Sequence, residues 1–176
     1  MKNISKRKEQ AIKEALHIWK NQNRYRCSFA QKMKLVGWKP NDSWDNGSFK
    51  KCLLKDSIVI KYLNRPYTSE RINEIRREVE QFRVAPAGLK KHLPKIYEFS
   101  ENFIIQDRVL LACWEYGGKC NAERIACKYE LEDCYHNHGH SLNGTVKFFD
   151  WVFRRDDPWI YDYDKPLLDD SYEEEY

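Results

Sequence analysis

The sequence predicts an α+β fold in which an antiparallel sheet packs on one long helix. Two stretches carry apolar residues at helical spacing, and around them lie short apolar or β-branched runs separated by turn residues, the pattern of hairpins. With 176 residues and an aromatic share of 14%, the chain can fill one compact core.

Taken in order, Ser5 is placed to cap a first helix whose Ala11, Ile12, Ala15, Leu16 and Trp19 form an apolar stripe ending near residue 22. Turn residues then dominate from Trp38 to Asp56, broken by short apolar pieces such as Cys52 to Leu54, which predicts hairpins leading into a strand from Ile58 to Leu63. Thr68 or Ser69 opens a second helix whose Ile72, Ile75, Val79 and Phe82 face inward, and Pro86 with Gly88 ends it. Two strands follow, from about Lys95 to Phe99 and from Phe103 to Gln106, split by the turn at Ser100, Glu101 and Asn102. Beyond Gly117 and Gly118 a helix is expected from about Asn121 to Glu132, then a loop from Asp133 to Gly144, a strand from Val146 to Phe149 and a tail rich in Pro and Asp. No internal repeat is evident. The predicted division is an N-terminal helical extension over 1–43, a core over 44–152 and an acidic, partly disordered tail over 153–176.

Charge is uneven along the chain. Residues 1–26 carry eight Lys or Arg against two Glu, whereas residues 155–176 carry nine Asp or Glu against Arg155 and Lys165. A basic end can hold nucleic acid and an acidic end can repel it, but solvated ends are the plainer expectation. No stretch approaches the roughly 20 apolar residues a bilayer crossing needs, and the first eight residues lack the apolar run of a secretory signal. Six scattered cysteines do not form a dense disulfide framework. A cytoplasmic protein without a membrane is therefore expected.

Four polar residues stand out by position and order. Lys61 follows three aliphatic residues in the predicted strand, Glu78 stands beside the helix stripe at Ile75 and Val79, Asp133 precedes a histidine-rich segment, and Asp150 closes the apolar run from Val146. A lysine in a buried strand needs an anion. A carboxylate on the next helix can hold it while leaving it within reach of phosphate, and two later carboxylates can supply a proton acceptor and a metal ligand. Glu74, one turn from Glu78, is an alternative partner.

On these residues, roughly from 44 to 152, the chain resembles the protein kinase-like superfamily, in a minimal or truncated form of phage or bacterial type. The resemblance implies a kinase-like N-terminal lobe, made of an antiparallel sheet plus one helix, with a strongly reduced C-terminal lobe. It implies that Lys61 binds the α and β phosphates of ATP, that Glu78 pairs with Lys61, and that Gly47 and Ser48 are what remains of the phosphate-covering loop. Read alone, Asn46-Gly47 is equally a hairpin turn. Gln106, Asp107 and Val109 fall in the segment whose backbone would hold adenine. Asp133 becomes the catalytic carboxylate and Asp150 the ligand of Mg2+, with Asn137 or His138 as the second ligand.

The family carries asparagine five positions after the catalytic aspartate, where this chain has His138, with Asn137 one residue early. Imidazole suits a hard cation less well than an amide oxygen. Val152 stands where a glycine usually follows the metal-binding aspartate, and with the chain ending at Tyr176 no activation segment or peptide platform is expected. The expected function is Mg-ATP binding with phosphate transfer to a small or partner-presented substrate. Its alternative is an inactive pseudokinase that serves as a protein-interaction module.

Three other readings compete. Cys120, Cys127 and Cys134, with His136, His138 and His140, offer soft-metal ligands, although no C-x-x-C pair accompanies them. His136-Asn137-His138 also matches the letters of the HNH nucleases, without an obvious ligand-bearing helix after it. Nucleic-acid binding through the basic N-terminal helix predicts an affinity that falls steeply with salt.

Overall fold

The structure, a computed structural model, describes residues 5–40, 50–63, 67–111, 118–132, 138–141, 143–149 and 152–153. Ser5 caps helix α1 (Lys6–Lys20) by accepting the Lys8 backbone N–H, and Ala11, Ile12, Ala15 and Ile18 form its buried stripe. A second helix, α2 (Phe29–Leu35), has a capping box between Ser28 and Gln31. The residues after it enter the sheet as β1 (Lys39–Pro40).

Hairpin β2 (Lys50–Lys55) and β3 (Ile58–Leu63) turns at Asp56 with φ 51°, a left-handed conformation that Asp tolerates and two-residue hairpin turns demand. Thr68 then caps α3 (Ser69–Val84). After the single turn α4 (Ala87–Lys90), strands β4 (Ile96–Ser100) and β5 (Phe103–Asp107) complete a five-stranded sheet of order β1-β2-β3-β5-β4, every neighbouring pair antiparallel.

Every residue of β3 is buried because both faces of the sheet are covered. On one face Leu53, Ile58, Ile60, Tyr62, Phe103 and Ile105 pack under α1 and α2, with Trp38, Met33 and Phe29. Trp19 sits edge-on to Phe29 there, at 4.8 Å between ring centroids. On the other face Leu63 and Ile104 meet Ile75 and Val79 of α3. The 1–43 segment thus contributes a strand to the sheet and half of its covering core.

A second core joins Ala85, Leu89, Leu93, Ala122, Leu131, Val146 and Phe148. It lies among α5 (Gly118–Lys128), β7 (Leu131–Glu132) and the three-stranded sheet β6-β8-β9, formed by Leu110–Leu111, His138–His140 and Val146–Phe148. Two expectations are corrected in this part. The helix expected to reach Glu132 ends at Lys128, because Glu130 adopts φ 52° and the chain re-emerges as β7, paired with β10 (Val152–Phe153). The loop expected from 133 to 144 contains β8, held between β6 and β9 by long-range pairing. Gly139 permits that pairing: a Cβ there would lie 2.1 Å from the Leu110 carbonyl oxygen.

The fold is α+β, an antiparallel five-stranded sheet plus helices, compatible with a kinase-like N-terminal lobe. Among the described residues no helix is long and apolar enough to cross a membrane.

Candidate functional site

Strand alternation sorts β3 into two sets, and the set facing α3 contains Val59, Lys61 and Leu63. Register then brings Cys52 of β2 opposite Lys61, Leu54 opposite Val59, and Gln106 of β5 opposite Val59 on the other side. These residues line a cleft that opens to solvent. Cys52, Leu54 and Val59 form its apolar roof, Phe149 its opposite wall, and the 106–109 segment one edge.

Lys61 is only 3% exposed, yet it carries a charge. Its Nζ donates to Oε1 of Glu78 on α3, an ion pair that offsets the desolvation of both groups. Glu78 is therefore the partner, and Glu74 is not: its carboxylate lies 4.0 Å from Lys50. Lys50 also donates to Glu78 Oε2 at 3.1 Å, so one carboxylate holds two lysines from adjacent strands. Lys50 was missed in the sequence, although a two-residue turn at Asp56 and Ser57 already places it on the same face as Cys52, two residues from the strand position opposite Lys61.

At the other end, Gln106 is 3% exposed and its carboxamide has no hydrogen-bond partner among the described residues. A second, smaller opening lies beside it, toward Glu78, Gln81, Phe82, Leu93 and Phe148, and Gln106 borders both. The carboxamide is not sealed from water, so it can bond solvent or a ligand that enters the cleft. The backbone of the edge is held from outside the cleft: Asp107 N–H donates to Lys95 O at 3.0 Å and Arg108 N–H to Ser57 O at 2.8 Å. The Val109 amide makes no such bond among the described residues, which leaves a donor at the cleft edge.

The Asp107 carboxylate looks away from the roof into a polar knot. Tyr97 Oη donates to Asp107 Oδ1 at 2.8 Å, and Lys8 Nζ of α1 donates to the same oxygen at 2.5 Å and to Tyr97 Oη at 2.6 Å. Burial, then the neighbouring Asp107, pushes the Tyr97 hydroxyl well above its ordinary range. Burial also holds the Lys147 ammonium below its ordinary value, partly opposed by the attraction of Asp107.

Of the other expected site residues, Gly47, Ser48, Asp133, Asn137 and Asp150 lie outside the described residues. The strands next to two of them are paired: Glu132, preceding Asp133, is opposite Val152, which lies two residues after Asp150. His138 sits on β8 opposite Phe148, with ring centroids 6.4 Å apart, and does not line the front cleft. Among the described residues no group of three or more His, Cys, Asp or Glu is arranged to hold a metal; Cys134 and His136 of the soft-metal reading lie outside them.

No protein-family model matches the chain. No curated protein matches it either. One similar solved structure is the co-crystal structure of WbdD and the kinase inhibitor LY294002, with a TM-score of 0.39 and 12% sequence identity. The match covers 61% of this chain and 32% of that one, so the chain spans about a third of that structure's length.

Proposed function

We propose that the cleft binds Mg-ATP and that the chain is a minimal kinase-like protein transferring phosphate to a small or partner-presented substrate. The observation that carries this reading is Lys61: a lysine 3% exposed, held by a helix carboxylate, at the polar end of an apolar cleft. Such a site accepts a flat apolar group under Val59 and Leu54, with an anion at Lys61. Gln106 and the Val109 amide supply hydrogen bonds for the edge of a base.

In this reading Lys61 Nζ neutralises charge on the phosphates, while Glu78 fixes its direction. The Asp133 carboxylate accepts the proton of the attacking hydroxyl. Positioning and electrostatics would supply most of the rate. A carboxylate from Asp150 with an amide oxygen from Asn137 is the donor set that suits Mg2+, whereas His138, a softer ligand lying against Phe148, is not. Held there, the ion would neutralise charge on the phosphates.

Calorimetric titration of ATP with and without Mg2+, on the wild type, Lys61→Met and Asp150→Ala, tests the site. Magnesium-dependent binding lost in both variants is the expected result. No binding to the wild type would overturn it. The second reading, an inactive pseudokinase acting as an interaction module, is favoured by one specific observation: His138 occupies the position of the expected asparagine and is seated on a strand. Phosphate transfer abolished in Asp133→Ala supports the enzyme; equal biological activity of that variant supports the module.

A further inference from the structure

The base end of the cleft is tied to a part of the chain that lies outside the kinase-like region. Lys8 stands in the first turn of α1, three residues before the helix begins its buried stripe at Ala11. The helix is already anchored by that stripe, which reaches from Ala11 to Ile18 in the sheet-covering core. Lys8 does something else: its side chain, 18% exposed, runs to Asp107, 26% exposed, the last residue of β5 and part of the cleft edge. Both oxygens of Asp107 are used, Oδ1 by Lys8 Nζ and Tyr97 Oη, and Oδ2 by the Lys95 backbone N–H at 3.4 Å. Lys8 and Lys95 also stack on the Tyr97 ring, at 4.9 and 5.7 Å from its centroid. With the Asp107 and Arg108 amides pinned to Lys95 and Ser57, the edge is fixed from α1, from β4 and from the β2–β3 turn at once.

We propose that Lys8 is a positioning residue for the nucleobase: by holding Asp107 it fixes the Arg108–Val109 backbone against which the base lies, so that α1 is part of the nucleotide site. The inference rests on the nucleotide reading above. A charged pair enclosed to this degree is directional, and an edge displaced by about an ångström would cost a base its in-plane hydrogen bonds. Lys61, at the phosphate end, is held by Glu78 on α3 rather than by Lys8, Tyr97 or Asp107 among the described residues. Lys8 should therefore act on the base and leave the phosphates alone.

The test is titration of the full chain with Mg-ATP and with Mg-tripolyphosphate, for the wild type, Lys8→Met, Lys8→Arg, Asp107→Asn and the Lys8→Met/Asp107→Asn double variant. Lys8→Met is expected to weaken ATP by about tenfold or more. Tripolyphosphate binding should be unchanged, Lys8→Arg should recover much of the ATP affinity, and the double variant should bind no more weakly than Asp107→Asn alone, because the two residues act as one unit. Wild-type affinity for ATP in Lys8→Met would overturn the inference. So would equal losses of ATP and tripolyphosphate, or additive effects of the two substitutions. Failure of the wild type to bind ATP would instead refute the nucleotide reading, and this inference with it.

Discussion

Replacing Gln106 with leucine should lower ligand affinity and leave stability nearly unchanged. The residue is 3% exposed, but its carboxamide is not sealed from water and makes no hydrogen bond to the described residues. An amide that bonds water in the free protein carries little of the penalty of a buried unsatisfied group, so exchanging it for an apolar group gains little. Leucine is close to glutamine in volume, and Val59, Ile96, Phe148 and Phe149 around the two cavities offer it apolar contacts. The change in stability should stay within about 1 kcal/mol, a shift in Tm of no more than roughly 2–4 °C for a chain of this size. ATP loses one hydrogen bond, so its affinity should fall about fivefold to tenfold. Differential scanning calorimetry of the free protein, followed by titration with Mg-ATP, reads both effects. A Tm lowered by several degrees with unchanged ATP affinity would refute the reasoning, since it would mean that the amide is satisfied inside the protein and never meets a ligand.

Other consequences follow from particular contacts. Gly139→Ala should lower Tm by about 4–10 °C, because the new Cβ meets the Leu110 carbonyl at 2.1 Å, whereas Gly88→Ala meets the movable end of Tyr129 and should cost less; thermal melts of the two variants rank them. Lys61→Met should remain folded by far-UV circular dichroism while losing Mg-ATP, since Glu78 keeps Lys50 at 3.1 Å. Burial holds His92 below its ordinary value of 6.5, against an opposing hydrogen bond to the Val146 carbonyl and with added repulsion from Lys91, Lys147 and Lys128. The unfolded chain therefore takes up this proton first as pH falls, so stability should decline below about pH 6.5 and level off once the folded form also titrates. Melting between pH 7.5 and 5 should show this decline, reduced in His92→Gln.

Much of the sheet face was legible because its signals are local. Three aliphatic residues before Lys61 mark a strand covered on both faces, and the 3.6-residue spacing of Ile72, Ile75 and Val79 marks the face of α3 that meets it. Sequence pointed to Glu78 as the partner of Lys61 with Glu74 as the alternative, since both flank the same stripe, and the crossing of α3 over β3 selects Glu78. α2 escaped notice because seven residues with two lysines give too short a period to read. β8, with the sequence His-Gly-His, carries no strand pattern at all and exists because β6 and β9 pair with it from either side.

The same division holds at the base end of the site. Sequence by itself determined that α1 is amphipathic, that Ser5 begins it, and that a basic first turn follows, since these depend on residues within a few positions of one another. Only the tertiary structure decided that Lys8 meets Tyr97 and Asp107, residues 89 and 99 positions away. Side-chain periodicity fixes which way a residue points within its own element, whereas the partner it finds depends on how α1 is rotated and seated on the sheet, and that is set by the summed packing of Trp19, Phe29, Tyr62 and Phe103 rather than by any local run of residues.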